Sequence, residues 1–326
     1  MIERKPIIFD GGIGALLVLI LLAIFPLFGG VFYTELCAKV MLFGIFALSL
    51  NVLVGYTGLV SLGHAAYFGV AAYCAVLLAP EYAAGNFWLI FPGAVMLSAL
   101  SAFVVGVFAL RTRGVYFIMV TLAFAQMFYY LFHDTDLGGG SDGIYLNVRP
   151  QPLLGDLQLV DFDQPLQLYY SILVLMVVSF ALVWKLLRSS FGRALLGIKH
   201  NEQRMRTLGF NTYLYKLAAF TLAGALAGVS GYFYVILFGF VSPEFLSWHQ
   251  SGQVLLMVIL GGIGQLTGGF WGALAFVAMQ EVFSAWSDHW HLVMGVSIVL
   301  AVLFLPGGIA AVPARLRAWA NQRRGQ

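Results

Sequence analysis

Polar side chains with possible chemical roles are concentrated in one apolar stretch, residues 55–69. The stretch contains Thr57, Ser61 and His64. Four glycines are interspersed with them, at positions 55, 58, 63 and 69. Glycines allow helix backbones to approach closely, and they allow a helix to break at membrane depth where neighbouring groups satisfy the freed backbone. Hydroxyls and an imidazole at such a break could line a polar pathway; a tightly packed helix interface is the alternative.

Charged residues within apolar stretches are few enough to consider singly. Glu35 and Lys39 are four residues apart, in the order that pairs best on a helix, so we predict an ion pair between them. Glu281 has no partner nearby in sequence, and an unpaired acid at membrane depth is costly. One hypothesis gives Glu281 a role in ion-coupled transport, and the other places it near the outer interface beside Asp288.

Several other kinds of chemistry lack their sequence signatures. The patterns GxxxxGKS and GxxxxGKT occur nowhere, so this chain is not itself a P-loop ATPase. Cys37 and Cys74 lie in apolar stretches, as small buried residues do, and form no CxxC metal site. No basic stripe with interleaved aromatic residues suggests nucleic-acid binding. The spacing of Ser61 and His64 hints at a nucleophile and base, which is weak evidence for an intramembrane enzyme.

Length and composition place these residues in a membrane protein. The chain has 326 residues, of which 61% are hydrophobic and 10% are charged. Its mean hydropathy is +0.91. Soluble domains carry about 25% charged residues, so this chain has too few to cover a globular surface. Since a helix needs about 20 apolar residues to cross a bilayer, the length allows roughly ten crossings.

Charge-free runs predict an all-α, polytopic transmembrane helical bundle of about ten membrane segments, although eight would fit the same sidedness. We expect residues 1–326 to form a single transmembrane domain. The first span is expected to be a retained helix rather than a cleaved signal peptide, because no Ala-x-Ala cleavage site follows it. The third, eighth and ninth spans are rich in glycine and are candidates for broken or re-entrant helices. The predicted spans lie near residues 12–29, 36–54, 59–79, 88–110, 114–132, 168–187, 214–238, 252–266, 269–286 and 290–306.

Basic residues predict on which side of the membrane each loop lies, because Lys and Arg in short loops stay in the cytoplasm. Basic clusters precede span 1 and follow spans 4, 6 and 10, so every interval between clusters contains an even number of spans. The loop 133–167 instead carries six Asp and one Arg. The pattern predicts that both termini are cytoplasmic and that the loop 133–167 is external.

The cytoplasmic loop 188–213 is predicted to form one short amphipathic helix that ends near Gly209, a suitable C-terminal glycine. Such a helix would either lie on the membrane surface or dock against a cytoplasmic partner, and the spacing alone does not choose between them. Its apolar side chains fall within an arc of about 80°; they are Ala194, Ile198, Met205 and Leu208.

Ordered motifs across roughly residues 40–310 resemble the permease subunits of branched-chain amino-acid ABC importers, specifically the LivM type. The GGSDG loop favours the LivM type over the sister permease of such importers. The motifs are LNVLVGYTGLVSLGH at 50–64, RGVYFIMVTLAFAQ at 113–126, GGSDG at 139–143, FGRALLGIKHNE at 191–202, the helix around 224–228, GGIG at 261–264 and LPGG at 305–308.

The resemblance implies a transport subunit rather than an enzyme, with three groups of functional residues. The loop 188–213 would be the coupling loop, which seats in a groove of a cytoplasmic ATPase. Its candidate contacts are Gly192, Arg193, Asn201, Glu202 and Gly209. The candidates for lining the translocation pathway are Asn51, Thr57, Ser61, His64, Thr121 and Gln126. In the loop 133–167, which would be periplasmic, the candidates are Ser141 and Asp142.

The resemblance also implies a set of partners in a bacterial inner membrane. They are a second permease subunit of the LivH type, two ABC ATPase subunits and a periplasmic solute-binding protein. ATP would be used by the ATPases, this chain would hold no cofactor, and its remaining surface would contact membrane lipid. The implied solutes are branched-chain amino acids. Related permeases move urea, amides or aromatic acids, and an ion-coupled secondary transporter is the other hypothesis.

Overall fold

A computed structural model of the chain describes residues 12–80, 82–154, 157–158, 160–305 and 307–312. The basic residues that precede span 1 and follow span 10 lie outside the described residues, as does Asp156. The charge clusters at the two ends of the chain are therefore known from sequence alone.

The described part of the chain is mainly helical, as predicted. Each of the ten predicted spans overlaps one α-helix, and two further short helices lie in the loop 188–213. The helices are α1 (Gly12–Ile24), α2 (Val31–Asn51), α3 (His64–Leu77), α4 (Phe87–Ala109), α5 (Val115–His133), α6 (Pro165–Arg188), α7 (Ser190–His200), α8 (Glu202–Thr207), α9 (Thr212–Phe238), α10 (Trp248–Gly261), α11 (Gly268–Trp286) and α12 (Trp290–Phe304).

Within the described residues, six helical segments are long and apolar enough to cross a membrane. This confirms a polytopic helical membrane protein, whereas the total of ten crossings stays a prediction. Two shorter apolar helices, Val18–Leu27 and His64–Leu77, fall below the length of a full span. The six candidate spans are Val31–Thr57, Phe87–Ala109, Val115–His133, Pro165–Arg188, Thr212–Phe238 and Trp290–Ala311.

The ends of the helices follow from local sequence. The helix α9 begins where the Asn211 side chain accepts a hydrogen bond from the Leu214 amide at 3.3 Å, which satisfies one of the free donors of the first turn. It ends at Gly239, which has a φ of 67°, the left-handed conformation that closes many helices. The helix α6 begins with Pro165 in its first turn, where a missing amide hydrogen costs nothing.

The core of the bundle is formed by α9 with α2 and α3, which both pack on it; Phe46 of α2 also contacts Phe68 of α3, with 4.7 Å between ring centroids. The helix α4 packs on α9, and α11 packs on both α2 and α10. The largest fully buried side chains include Phe46, Tyr67, Phe68, Phe220 and Tyr232. By contrast, α5 and α12 have few buried residues, as expected of helices at the edge of a bundle in contact with lipid or another chain.

Small residues let these helices approach closely. A Cβ placed on Gly224 would overlap Ala102 of α4, and one placed on Gly228 would overlap Ser98. A Cβ on Gly272 would overlap the Met257 carbonyl of α10. Gly224, Gly228 and Gly272 are therefore positions at which two helices pack closely.

The segment between α5 and α6 is folded back on itself. The GGSDG motif at 139–143 lies within two successive 3₁₀ turns, Asp136–Gly138 and Gly140–Asp142, and the residues that flank them. Two antiparallel two-residue ladders accompany them: β1 (Ile144–Tyr145) with β4 (Phe240–Val241), and β2 (Leu153–Leu154) with β3 (Leu157–Gln158). Because α6 separates this segment from the loop 188–213, the two lie at opposite ends of a helix of 24 residues.

Gly231 provides a test of this packing. Its hypothetical Cβ would overlap the Phe68 carbonyl of α3, so we expect Gly231→Ala to destabilise the fold by about 1–3 kcal/mol, as overpacking does. Gly252 in α10 has open space around the same position, so Gly252→Ala should be neutral or slightly stabilising. Thermal unfolding of the two purified variants checks the expectation, and equal melting temperatures would show that the α3–α9 contact is not as close as described.

Candidate functional site

The Gly-rich stretch at 55–69 forms a helix break. The helix α2 continues into a π-helical turn, Val52–Thr57, and stops at Gly58, which has a φ of 75°. The helix α3 then starts at His64, so residues 58–63 lie outside any helix. The predicted break of the third span is therefore confirmed. The Leu53 carbonyl accepts three bonds at the end of the turn, from the Gly58 amide, from the Leu59 amide at 3.2 Å and from Thr57 Oγ1 at 2.6 Å.

His64 is fully buried behind this break. Its Nε2 lies 2.8 Å from Ser49 Oγ, and Ser49 Oγ donates its proton to the Phe46 carbonyl at 2.7 Å. A serine hydroxyl has one proton, so Nε2 must donate and Nδ1 carries no proton; this tautomer is assigned from the hydrogen bonds. The imidazole stacks on Phe46 with 5.7 Å between ring centroids. Nδ1 has no hydrogen-bond partner among the described residues.

Thr121 lies beside the break, on α5. A Cβ on Gly63 would overlap the Thr121 carbonyl, so the two backbones are in direct contact. Ser61 Oγ accepts a bond from the Gly63 amide at 3.2 Å, and Thr121 Oγ1 donates to the Ile118 carbonyl at 2.9 Å. The structure thus brings Ser61 and Thr121 to the same break.

Asn51 joins this first break, residues 58–63, to a second helix break, residues 262–267. The second break separates α10, which ends at Gly261, from α11, which begins at Gly268. Between them, the Gly264 amide donates to Asn51 Oδ1 at 2.9 Å, and Asn51 Nδ2 donates to the Gln265 carbonyl at 2.8 Å. The oxygen and the nitrogen of the Asn51 side-chain amide therefore both bond to the loop between α10 and α11. This joint, the pair of bonds between Asn51 and that loop, was not apparent from the sequence.

The pathway candidates divide into two groups. Five are buried, with relative exposures of 4% or less, and each of them hydrogen-bonds to the protein. These five are Asn51, Thr57, Ser61, His64 and Thr121. Gln126 is half-buried, and it lies about 140° around α5 from Thr121 because each residue turns a helix by about 100°. That these side chains line a pathway stays a prediction.

The loop 188–213 contains two helices, so the prediction of one continuous helix is wrong. The backbone breaks at Asn201, with a φ of −157°. Asn201 Oδ1 accepts a bond from the Arg204 amide at 2.9 Å. This side-chain cap begins a new helix, α8, so α7 ends at the preceding residue. Ala194 and Ile198 are buried on α7, whereas Leu208 is 65% exposed. The break separates Leu208 from the apolar face to which it was assigned.

Glu202 connects α8 to the start of α9. Its Oε1 accepts bonds from Arg206 Nη2 at 2.6 Å and from Thr212 Oγ1 at 3.1 Å, and its Oε2 accepts one from Lys216 Nζ at 2.6 Å. Burial raises the pKa of Glu202, but the hydrogen bonds from Lys216, Thr212 and Arg206 and the positive charge of Lys216 outweigh burial, so its pKa lies below the usual value. Glu202 thus stabilises the loop 188–213 internally.

The remaining candidates on both faces have simpler surroundings. Gly192 lies against the end of α6, where a Cβ would overlap the Leu187 carbonyl. Arg193 is exposed and donates to the Arg188 carbonyl at 3.4 Å, and Gly209 closes α8 with a φ of 87°. On the opposite face, exposed Ser141 Oγ donates to Asp142 Oδ1 at 3.1 Å.

The intramembrane charges pair differently from the prediction. Lys39 Nζ lies 3.7 Å from Glu281 Oε1, so Lys39 pairs with Glu281 rather than with Glu35. The reason is tertiary: α2 packs against α11. Among the described residues, no group of three or more His, Cys, Asp or Glu side chains is placed to hold a metal ion.

The fold and the site define a multi-pass helical membrane protein with two helix breaks joined by hydrogen bonds and a separate loop, 188–213, that is held by bonds within itself and to α9. The family described as branched-chain amino acid transport system / permease component matches residues 32–303. The chain belongs to this family. No solved structure matches the chain.

The similar curated proteins are permeases. The chain is 31% identical to the high-affinity branched-chain amino acid transport system permease protein LivM of Salmonella typhimurium, over 90% of this chain and 73% of the relative. It is 31% identical to LivM of Escherichia coli, over 84% of this chain and 69% of the relative. The autoinducer 2 import system permease protein LsrC of Klebsiella pneumoniae is 30% identical over 40% of either chain. The LivM resemblance is confirmed.

The joint at Asn51 can be tested with a single-atom change. Asn51→Asp replaces a donor with an acceptor opposite the Gln265 carbonyl, and we expect a loss of about 1–3 kcal/mol because a buried acceptor loses its donor. Asn86→Asp is the matched control, since Asn86 Oδ1 accepts a bond from the Trp88 amide at the start of α4, a position that aspartate fills equally well. Thermal unfolding of both variants is the measurement. Equal stability would contradict the role of Asn51.

The network around Glu202 can be tested by proteolysis. We expect Glu202→Gln to weaken the bonds to Arg206 and Lys216, and so to increase tryptic cleavage after Arg204 and Arg206 about tenfold, the factor expected for the loss of a charged hydrogen bond. Glu244→Gln changes an exposed acid in a 3₁₀ turn on another part of the chain and should leave cleavage unchanged. An unchanged cleavage rate in Glu202→Gln would show that α8 is held by other contacts.

Proposed function

We propose that the chain is the membrane-spanning permease subunit of an ATP-driven importer for branched-chain amino acids. The observation that carries this proposal is family membership over residues 32–303, together with two LivM relatives matched over most of their length.

The loop 188–213 has the properties of a docking and coupling element. The helix α8 has no buried residue among its six, and apolar side chains around it are exposed: Leu208 by 65%, Leu214 by 55% and Phe210 by 38%. The Glu202 network ties this exposed helix to α9, which packs at the centre of the bundle. A displacement of α8 by a partner would therefore reach the core through α9.

The proposed assembly contains the partners that the family resemblance implies. A LivH-type permease would complete the membrane unit, two ABC ATPases would bind the loops on the cytoplasmic side, and a solute-binding protein would deliver solute to the face that carries the segment 133–167. Both termini would be cytoplasmic, in a bacterial inner membrane. ATP would be hydrolysed by the ATPases alone.

An ion-coupled carrier is the weaker alternative. Glu281 was its main support, as an acid at membrane depth without a partner nearby in sequence. The Lys39–Glu281 pair now gives that acid a structural partner, which offsets the cost of placing a charge there. An ATP-driven importer requires no such titratable residue.

Reconstitution tests the function directly. We expect proteoliposomes that contain this chain, a LivH-type permease and two ATPases to accumulate labelled leucine when ATP and the solute-binding protein are both supplied. Vesicles without ATP, and vesicles whose ATPases carry a disabled nucleotide site, are the matched controls. An excess of unlabelled urea, of a short amide or of an aromatic acid should leave leucine uptake unchanged, whereas competition by one of them would reassign the solute.

The same vesicles distinguish the alternative. Uptake by this chain alone under a sodium or proton gradient, without ATP, and its loss in Glu281→Gln would establish an ion-coupled carrier and contradict the proposal. For an ATP-driven permease we expect Glu281→Gln to retain the requirement for ATP.

A further inference from the structure

One side chain connects the cytoplasmic loop directly to the helix break. Lys199, in the last turn of α7, donates from Nζ to the Gly55 carbonyl at 2.5 Å, across 144 residues of sequence. Its Cγ also lies 3.4 Å from the position of a Cβ on Gly58. The aliphatic part of Lys199 thus lies along the end of the π-helical turn while its ammonium group binds the backbone.

The Gly55 carbonyl needs this donor. The last carbonyls of a helix have no amide partner within the helix, and they form the negative end of its dipole, where a cation is favourable. The chain leaves the helix at Gly58, so no further turn follows to supply amides to the last carbonyls. Burial lowers the pKa of Lys199, which is the cost of holding the ammonium here, and the carbonyl offsets that cost.

The helix α7 and the break are also in contact through apolar side chains. Leu195 and Ile198 are buried, and α7 packs on the π-helical turn as well as on α6 and α9. Apolar contacts of this kind are non-directional and allow sliding. The Lys199–Gly55 hydrogen bond is directional, so it fixes the position of α7 relative to the break.

The same turn touches the second break. A Cβ on Gly55 would lie 2.8 Å from both Cα and N of Gly264, in the loop held by Asn51. The turn that Lys199 binds is therefore the place where α7, the first break and the α10–α11 loop meet.

We propose that Lys199 is a positioning residue that transmits displacements of the coupling loop to the paired helix breaks. This rests on the proposed function in one respect, that a partner ATPase supplies the displacement. Removal of the bond should leave the subunit folded, because the apolar contacts of α7 remain, but α7 could then move without moving the break. The consequence would be ATP hydrolysis that is poorly converted into transport.

Two measurements on three variants test the proposal. Lys199→Met keeps a long apolar side chain and removes the donor. Lys199→Arg keeps a cationic donor on a side chain of similar length, and Lys185→Met removes a cytoplasmic cation from the end of α6. Hydrogen–deuterium exchange of the full chain in nanodiscs reports protection of the amides at 55–60, and the complete reconstituted importer reports leucine molecules transported per ATP hydrolysed.

We expect Lys199→Met to increase exchange at 55–60 and to decrease transport per ATP, each by about tenfold, as the loss of one charged hydrogen bond would. Lys199→Arg should restore most of both, and Lys185→Met should match the wild type. Unchanged exchange in Lys199→Met would overturn the proposed bond. Increased exchange with unchanged transport per ATP would overturn its role in transmission.

The exchange measurement keeps this proposal separate from the proposed function. If the wild-type complex transports no leucine but exchange at 55–60 responds to Lys199→Met, the solute or the class of transporter is wrong while the bond stands. If Lys199→Met fails to assemble with the partners, whereas Lys199→Arg assembles, the exchange of the isolated chain still decides whether the bond orders the break.

Discussion

The central constraint on this protein is that backbone groups freed at a helix break need partners inside an apolar bundle. At the end of the π-helical turn, the Leu53 carbonyl is satisfied locally by Thr57 and Leu59. The Gly55 carbonyl is satisfied by Lys199 from the loop 188–213. An unsatisfied peptide group in such surroundings costs several kcal/mol, roughly the scale of the whole stability of a domain. These partners therefore stabilise the break and fix its position within the bundle.

This requirement draws distant segments together. Asn51 reaches a loop 213 residues later in the chain, and Gly63 lies against the backbone of α5 at Thr121. Each of these contacts depends on a glycine or on one specific polar group, which leaves little tolerance for substitution. The helices at the edge, such as α12, carry mainly exposed apolar side chains and tolerate more variation, because lipid accepts many shapes.

Local signals predicted the helices and the first break, since hydropathy and glycine spacing are properties of neighbouring residues. Pairs of residues that are distant in sequence and meet only in the folded bundle could not be predicted from such signals. The Glu35–Lys39 spacing was correct for a pair, yet packing of α2 on α11 gave Lys39 to Glu281, 242 residues away in the sequence. The break at Asn201 was different, because an asparagine followed by an acid is a local helix-start signal. In the prediction, the apolar periodicity of 194–208 outweighed that signal.

The same constraint links the opening of a pathway to the release of these bonds. Water that entered between the breaks would hydrate the Gly55 and Gln265 carbonyls, and so would lower the free-energy cost of removing Lys199 or Asn51 from them. With the pathway closed and dry, that cost is high and the segments stay joined. Hydration of these carbonyls and displacement of Lys199 or Asn51 therefore favour each other. Arrangements with only one of the two changes are unfavourable relative to the dry, bonded state and the hydrated, separated state. Two joined breaks with directional hydrogen bonds are thus suited to a two-state rearrangement, as alternating access requires.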